Sequence, residues 1–266
     1  MTQHLADTGF LKVHDQRLEY CWIAPQNSRQ ASHHPVLVLL HEGLGCVTMW
    51  KDFPAQLAAR TGCGVFSYSR AGYGRSDPAL LPRPARYMHD EAELVLPALL
   101  AAAGIEQPVL LGHSDGGSIA LIYAGCHPDA VRGLVLLAPH VFNEPLCIEA
   151  ITAAGERYRS SDLPQRLARY HGAQADAAFW GWHDVWLSPA FRQWNIEASL
   201  ASITAPTLLI QSRQDPYGTL AQINAISGQL QGPVEQRLLA DCAHAPHLEQ
   251  PEQTVTAIQE FLYKLL

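Results

Sequence analysis

The chain has 266 residues, 48% of them hydrophobic and 16% charged, a balance that fits a globular fold with a large core. A formal net charge of -7 gives no electrostatic reason for a nucleic-acid partner, which needs clustered Lys and Arg. No apolar run approaches the roughly eighteen residues of a membrane span, and the opening stretch has neither a basic nor an apolar signal region, so no membrane partner and a cytoplasmic location are expected.

Segments 10–13 and 17–23 read as a hairpin around His14, Asp15 and Gln16. The continuous apolar run 36–40 is that of a strand buried on both faces, and 64–68, 109–112 and 133–138 repeat it. Helix patterns lie between them at about 50–60, 86–103 and 115–127, each ended by Gly or by a following Pro. Strand and helix alternate, which predicts an α/β architecture with a largely parallel sheet. The stretch 140–203 breaks the rhythm: it is helical in composition, carries four of the six tryptophans and holds no convincing strand. It reads as a helical cap inserted into a core of residues 1–139 and 204–266, where strands 207–211 and 235–239 and helices 219–231 and 251–265 resume the pattern. Cysteines 21, 46, 63, 126, 147 and 242 show neither CxxC pairs nor zinc spacing and read as reduced, mostly buried small hydrophobes.

Gly112-His113-Ser114-Asp115-Gly116 stands between an apolar strand and a helix rich in small residues. A bare Gly-x-Ser-x-Gly arises by chance in on the order of one chain in ten of this length; the strand-to-helix context is what makes it specific. A nucleophile on a tight turn needs flanking glycines to avoid clashes, and the following helix N-terminus favours negative charge. Neither GxGxxG nor GxxxxGK[ST] is present to turn the same feature into a phosphate site.

With three further segments, His41-Glu42-Gly43-Leu44-Gly45, Ser69-Arg70-Ala71-Gly72-Tyr73-Gly74-Arg75-Ser76-Asp77 and Cys242-Ala243-His244-Ala245-Pro246-His247, the chain resembles the α/β-hydrolase superfamily over nearly its whole length. The resemblance implies a mostly parallel sheet of about eight strands with helices on both faces, a cap, and a triad in the chain order serine, acid, histidine. Ser114 is then the nucleophile, Asp215 the acid and His244 the base; Asp241 and His247 remain alternatives from the same loops. The oxyanion hole falls to the amides of Asp115 and Gly43, with Leu44 the alternative second donor. Relatives usually carry Gly where this chain has Glu42. A carboxylate there would disfavour the oxyanion, raise the basicity of His244 or select a cationic or hydroxylated substrate, unless it faces outward and pairs with an arginine. Glu42, Leu44, His140, Phe142, Trp180 and Trp186 are the expected pocket residues.

These readings lead to an ester hydrolase acting on a small molecule without cofactor or metal. Serine rather than aspartate at the nucleophile position speaks against dehalogenase or epoxide-hydrolase chemistry. Lactone, amide and carbon–carbon bond cleavage use the same triad, and a non-catalytic ligand receptor is the rival from another class.

Overall fold

The computed structural model describes residues 6–25 and 34–266; residues 1–5 and 26–33, which the expected core also covers, lie outside the described residues. The strands are β1 (Asp7–Val13), β2 (Gln16–Ile23), β3 (Leu37–Leu40), β4 (Val65–Tyr68), β5 (Val109–His113), β6 (Gly133–Leu137), β7 (Thr207–Ser212) and β8 (Val234–Leu239). They form one sheet in the order β1-β2-β4-β3-β5-β6-β7-β8. β1 and β2 pair antiparallel, as do β2 and β4. Every pairing from β4 across to β8 is parallel. The strands follow the apolar runs closely, with β1 beginning earlier, at Asp7.

Strand periodicity divides the core. Val38, Leu40, Leu110, Leu134, Leu136 and Leu209 face one cluster, while Leu37, Leu39, Val109, Leu111, Val135 and Ile210 face the other. The helices are α1 (Phe53–Thr61), α2 (Tyr87–Asp90), α3 (Leu96–Ala103), α4 (Asp115–Cys126), α5 (Pro145–Ser160), α6 (Leu163–His171), α7 (Ala175–Leu187), α8 (Leu220–Gln229), α9 (Pro246–Glu249) and α10 (Pro251–Tyr263). α1 and α10 cover the second face, through Phe53, Leu57, Ile258 and Phe261. α3, α4 and α8 cover the first, joined there by apolar residues of α5 to α7. The predicted helix at 86–103 is α2 and α3 joined by a π-helical turn, Glu91–Val95. Pro97 has no N–H for the carbonyl of Glu93, and a wider turn ahead of it relieves the ring's clash there.

The segment between β6 and β7 holds α5, α6 and α7. Its two ends meet at one antiparallel bridge, Phe142 to Asn195. Asn143 N–H donates to the Trp194 carbonyl at 3.2 Å and Ile196 N–H to the Val141 carbonyl at 2.8 Å. All six cysteines are free thiols, and those at 46, 63, 147 and 242 are buried. Among the described residues no helix is long and apolar enough to cross a membrane.

Behind the sheet's carboxyl end, β2 fixes the turn that follows β4. Glu19 is 2% exposed and accepts from Ser69 Oγ at 2.9 Å, the Arg75 amide at 2.9 Å and Arg75 Nε at 2.6 Å. Its own N–H donates to Ser76 Oγ at 2.9 Å. The 69–76 turn therefore hangs on one carboxylate, and hydrogen bonds to charged groups contribute more than neutral ones. Glu19→Ala is expected to lower unfolding free energy by about 2–4 kcal/mol in urea titrations.

Candidate active site

β5 runs into α4 through a single residue, Ser114, whose backbone takes φ 52 and ψ -118. A positive φ strains a residue with a Cβ, and two close approaches enforce it. A Cβ on Gly112 would stand 2.3 Å from the Gly116 carbonyl oxygen, and one on Gly116 would stand 1.9 Å from that of Leu40. Ser114 N–H donates to the Leu137 carbonyl at 2.9 Å, and its own carbonyl accepts from the amides of Gly117 and Ser118 at 2.8 and 3.1 Å. The side chain lines a cavity at the carboxyl end of the parallel strands.

Asp215, in the loop after β7, faces His244, in the loop after β8. Nδ1 of His244 lies 2.9 and 2.8 Å from the two carboxylate oxygens, so it carries the proton and leaves Nε2 as the basic nitrogen. Gln211 Nε2 and the Tyr217 amide donate to the same carboxylate at 3.0 and 2.8 Å. Burial opposes ionisation of Asp215, but the His244 ring and the Tyr217 N–H outweigh it and hold the carboxyl below its ordinary value. His244 and Ser114 line the same cavity. Among the described residues the Ser114 hydroxyl makes no hydrogen bond, a looseness common before substrate tightens such sites.

The two alternatives lie elsewhere. His247 is buried against Trp50 and Phe53, ring centroids 4.8 and 5.3 Å away, where burial pulls its pKa down to about 3. Asp241 is an exposed turn residue at φ 52.

Arg70, 3% exposed, organises the loop after β3. Its guanidinium donates to the carbonyls of His41 and Glu42 at 2.5 and 2.9 Å, and its amide donates to His41 Nε2 at 3.1 Å. His41 Nδ1 donates to the Glu42 carbonyl at 2.7 Å. From the cap, His171 Nε2 donates to the Leu44 carbonyl at 3.0 Å while its Nδ1 accepts from the Gly74 amide at 3.0 Å. Both imidazoles thus use one nitrogen as donor and one as acceptor, and burial lowers the pKa of each, which keeps them neutral. With its carbonyls engaged in this way, the loop leaves the amides of Gly43 and Leu44, like that of Asp115, outside the backbone hydrogen bonds. All three residues line the cavity.

The Asp115 side chain points away into the core, accepting from Tyr87 Oη at 2.5 Å and lying 3.8 Å from Arg70. Burial raises its pKa against the opposing influence of Arg70 and Tyr87. Tyr87 Oη accepts in turn from Trp186 Nε1 at 3.0 Å, which joins the cap to the elbow.

Among the described residues Glu42 pairs with no arginine through its carboxylate. Oε2 turns inward, 3.4 Å from Nδ1 of His113, and a Cβ on Gly45 would stand 2.4 Å from it. Burial alone would raise the carboxyl's pKa; the hydrogen bond and charge of His113, with help from His41 and His247, hold it well below the usual carboxylate range. That contact engages one of the two carboxylate oxygens.

The cavity measures about 100 Å³. Glu42, Leu44, His140 and Trp186 line it as the sequence suggested, and Cys147, Ile151, Trp182 and Tyr217 line it too. Phe142 and Trp180 do not. Phe142 is held by the bridge to Asn195 and by Gln222 at the base of the cap. Trp180 packs on Tyr158 and Phe179 beneath the Arg159 guanidinium. A wider hollow of about 410 Å³ beside Tyr20, Trp22 and Ile105 contains none of these chemical groups. Among the described residues no cluster of three or more His, Cys, Asp or Glu could hold a metal ion.

Comparison with known proteins places the fold in a family. Residues 37–257 match the Alpha/beta hydrolase family. The chain belongs to that family. The hydrolase is 32% identical over 121 residues to the human (Lyso)-N-acylphosphatidylethanolamine lipase, an alignment covering 46% of this chain and 34% of that one. It therefore spans about a third of that lipase's length. Proline iminopeptidase from Lactobacillus helveticus (strain DPC 4571) is 24% identical over 276 residues, covering 88% of this chain and 91% of the other. Among solved structures, the 2-hydroxy-6-oxo-6-phenylhexa-2,4-dienoate hydrolase of Rhodococcus sp. strain RHA1 superposes with a TM-score of 0.78 at 15% identity, covering 97% and 100% of the two chains. That likeness concerns the fold alone.

Crowding at the hydrolase's elbow makes a specific prediction. Gly116→Ala should cost about 3 kcal/mol or more in urea unfolding, since backbone must move to admit the methyl. Gly228→Ala, where an added Cβ meets nothing within 4 Å, should instead gain about 0.5–1 kcal/mol.

Proposed function

We propose that this hydrolase cleaves a carboxylic ester, or a related acyl bond, of a small and partly apolar substrate through Ser114, His244 and Asp215. The observation that carries the reading is the pair of Nδ1 contacts from His244 to Asp215 at 2.9 and 2.8 Å, with the strained Ser114 opening on the same cavity. Asp215 fixes the tautomer in which Nε2 accepts the Ser114 proton as the oxygen attacks the carbonyl. The tetrahedral oxyanion is met by the amides of Asp115 and Gly43, then collapses as His244 returns the proton to the leaving alcohol. Water, deprotonated by the same ring, releases the acid and restores the serine.

A chromogenic short-chain ester tests this. Ser114→Ala should lose on the order of 10⁶ in kcat and Asp215→Asn on the order of 10⁴, each folding normally by circular dichroism. Turnover that survives Ser114→Ala, or absence of Ser114 labelling by a fluorophosphonate, would overturn the assignment. Esters, lactones and amides compared on one enzyme preparation identify the preferred acyl bond.

Cavity size supports a short acyl group. At about 100 Å³ it is well below the ~300–1,000 Å³ of most small-molecule sites. Rates should fall as the acyl chain lengthens, and Ile151→Ala should raise kcat/KM for the longer esters relative to acetate by roughly 10-fold or more, as expected for methylene-sized changes.

A further inference from the structure

We propose that Glu42 and His113 form a second carboxylate–imidazole pair, which positions the loop of His244 from behind by donating from both ring nitrogens of His113. The inference rests on reading Ser114, His244 and Asp215 as an acyl-transfer triad, and adds two positioning residues to it.

Both ring nitrogens of His113 face oxygens that accept. Nε2 lies 2.7 Å from the backbone carbonyl of His244, which offers no proton. Nδ1 lies 3.4 Å from Glu42 Oε2, which offers none when ionised. A neutral imidazole has one N–H and satisfies one such partner; serving both requires the imidazolium. The ring is 2% exposed, which leaves bulk solvent little access to it.

Charges around the ring favour this form. From the loop after β3 comes the Glu42 carboxylate, and from the loop after β7 the Asp215 carboxylate. The rings of His244 and His247 approach to 5.1 and 4.9 Å, and Trp50 to 6.4 Å. His247 is neutral, its pKa down to about 3. His140, across the His244 ring, is likewise down to about 3. The charge of Lys51 helps to keep His247 neutral. Burial opposes the charge on His113, but the Glu42 hydrogen bond and charge outweigh it and raise its pKa.

The pair spans two parts of the site that are far apart in sequence. Glu42 belongs to the loop that carries the Gly43 amide, and the carbonyl held by His113 belongs to the catalytic base. Displacing reacting groups by about 1 Å can cost on the order of 10² in rate, so one ring held at both ends affects the chemistry without touching substrate. A raised pKa means that the cationic form persists at low pH and is lost as pH rises through the raised value. Above it, the Nδ1 lone pair would face the Glu42 carboxylate and the tie would open. Glu42, whose pKa is depressed, keeps its charge until strongly acidic pH. kcat should therefore show a descending alkaline limb belonging to His113, in addition to any acid limb.

Two measurements decide the point. The kcat profile of Glu42→Gln on a short-chain ester should have its alkaline limb moved roughly 1–3 pH units downward, the range for removing an opposite charge at this distance, with KM little changed. A profile that superimposes on wild type apart from a uniform loss would reduce the pair to packing and overturn the proposal. Independently, ring nitrogen chemical shifts of His113 in the Ser114→Ala protein should report both nitrogens protonated at neutral pH. A neutral tautomer there overturns the proposal even if Glu42→Gln does not fold. Since Ser114→Ala needs no turnover for this reading, failure of the triad assignment and failure of the pair are told apart.

Discussion

Between the carbonyl of Leu40 and the first turn of α4 there is no room for a methyl group, and the geometry of the site descends from that close packing. Because α4 starts directly against β3, Ser114 and the loop that follows β3 are neighbours. The parallel pairing of Leu40 with Gly112 fixes their relative height. β7 and β8 then present Asp215 and His244 at the same end of the sheet, as parallel strands must. A sheet with all its central strands pointing one way is thus a means of gathering remote loops.

Arg70 performs the corresponding task among the polar groups. A buried guanidinium contributes little net stability once its desolvation is counted. Its value here is geometric: it turns the carbonyls of His41 and Glu42 toward itself, and so away from the place where negative charge would develop. His171 does the same for Leu44 from the cap side. In the proposed reaction, loop amides prepared in this way would need little reorganisation, which is the main advantage of a folded site over water.

Strands β3 to β7 were legible because a strand buried on both faces must be continuously apolar, and few other elements of that length are. Ser114 stood out because the tight turn leaves its glycines in the sequence, and Asp215 and His244 because the resemblance puts an acid and a histidine in the loops after β7 and β8, where the two side chains do meet. The pocket was legible only in part. Trp182 and Trp186 stand four residues apart on α7 and share a face, whereas Trp180 faces the other way; Cys147 and Ile151 repeat that spacing on α5. This periodicity was available, but which face meets the sheet depends on how the cap is set down, and that is decided by long-range contacts. The partner of Glu42 was hidden for the same reason: nothing local joins it to His113, across 71 positions of chain.

The bridge between Phe142 and Asn195 brings the two ends of the cap within one rung of each other. Topologically the cap is a closed loop standing on a narrow neck, so its length can change without altering the order or pairing of the strands beneath it. Such an arrangement separates the inheritance of chemistry from the inheritance of selectivity. A transplanted roof would have to reproduce its tethers, His171 to the loop below and Trp186 to Tyr87, for the floor to keep its set.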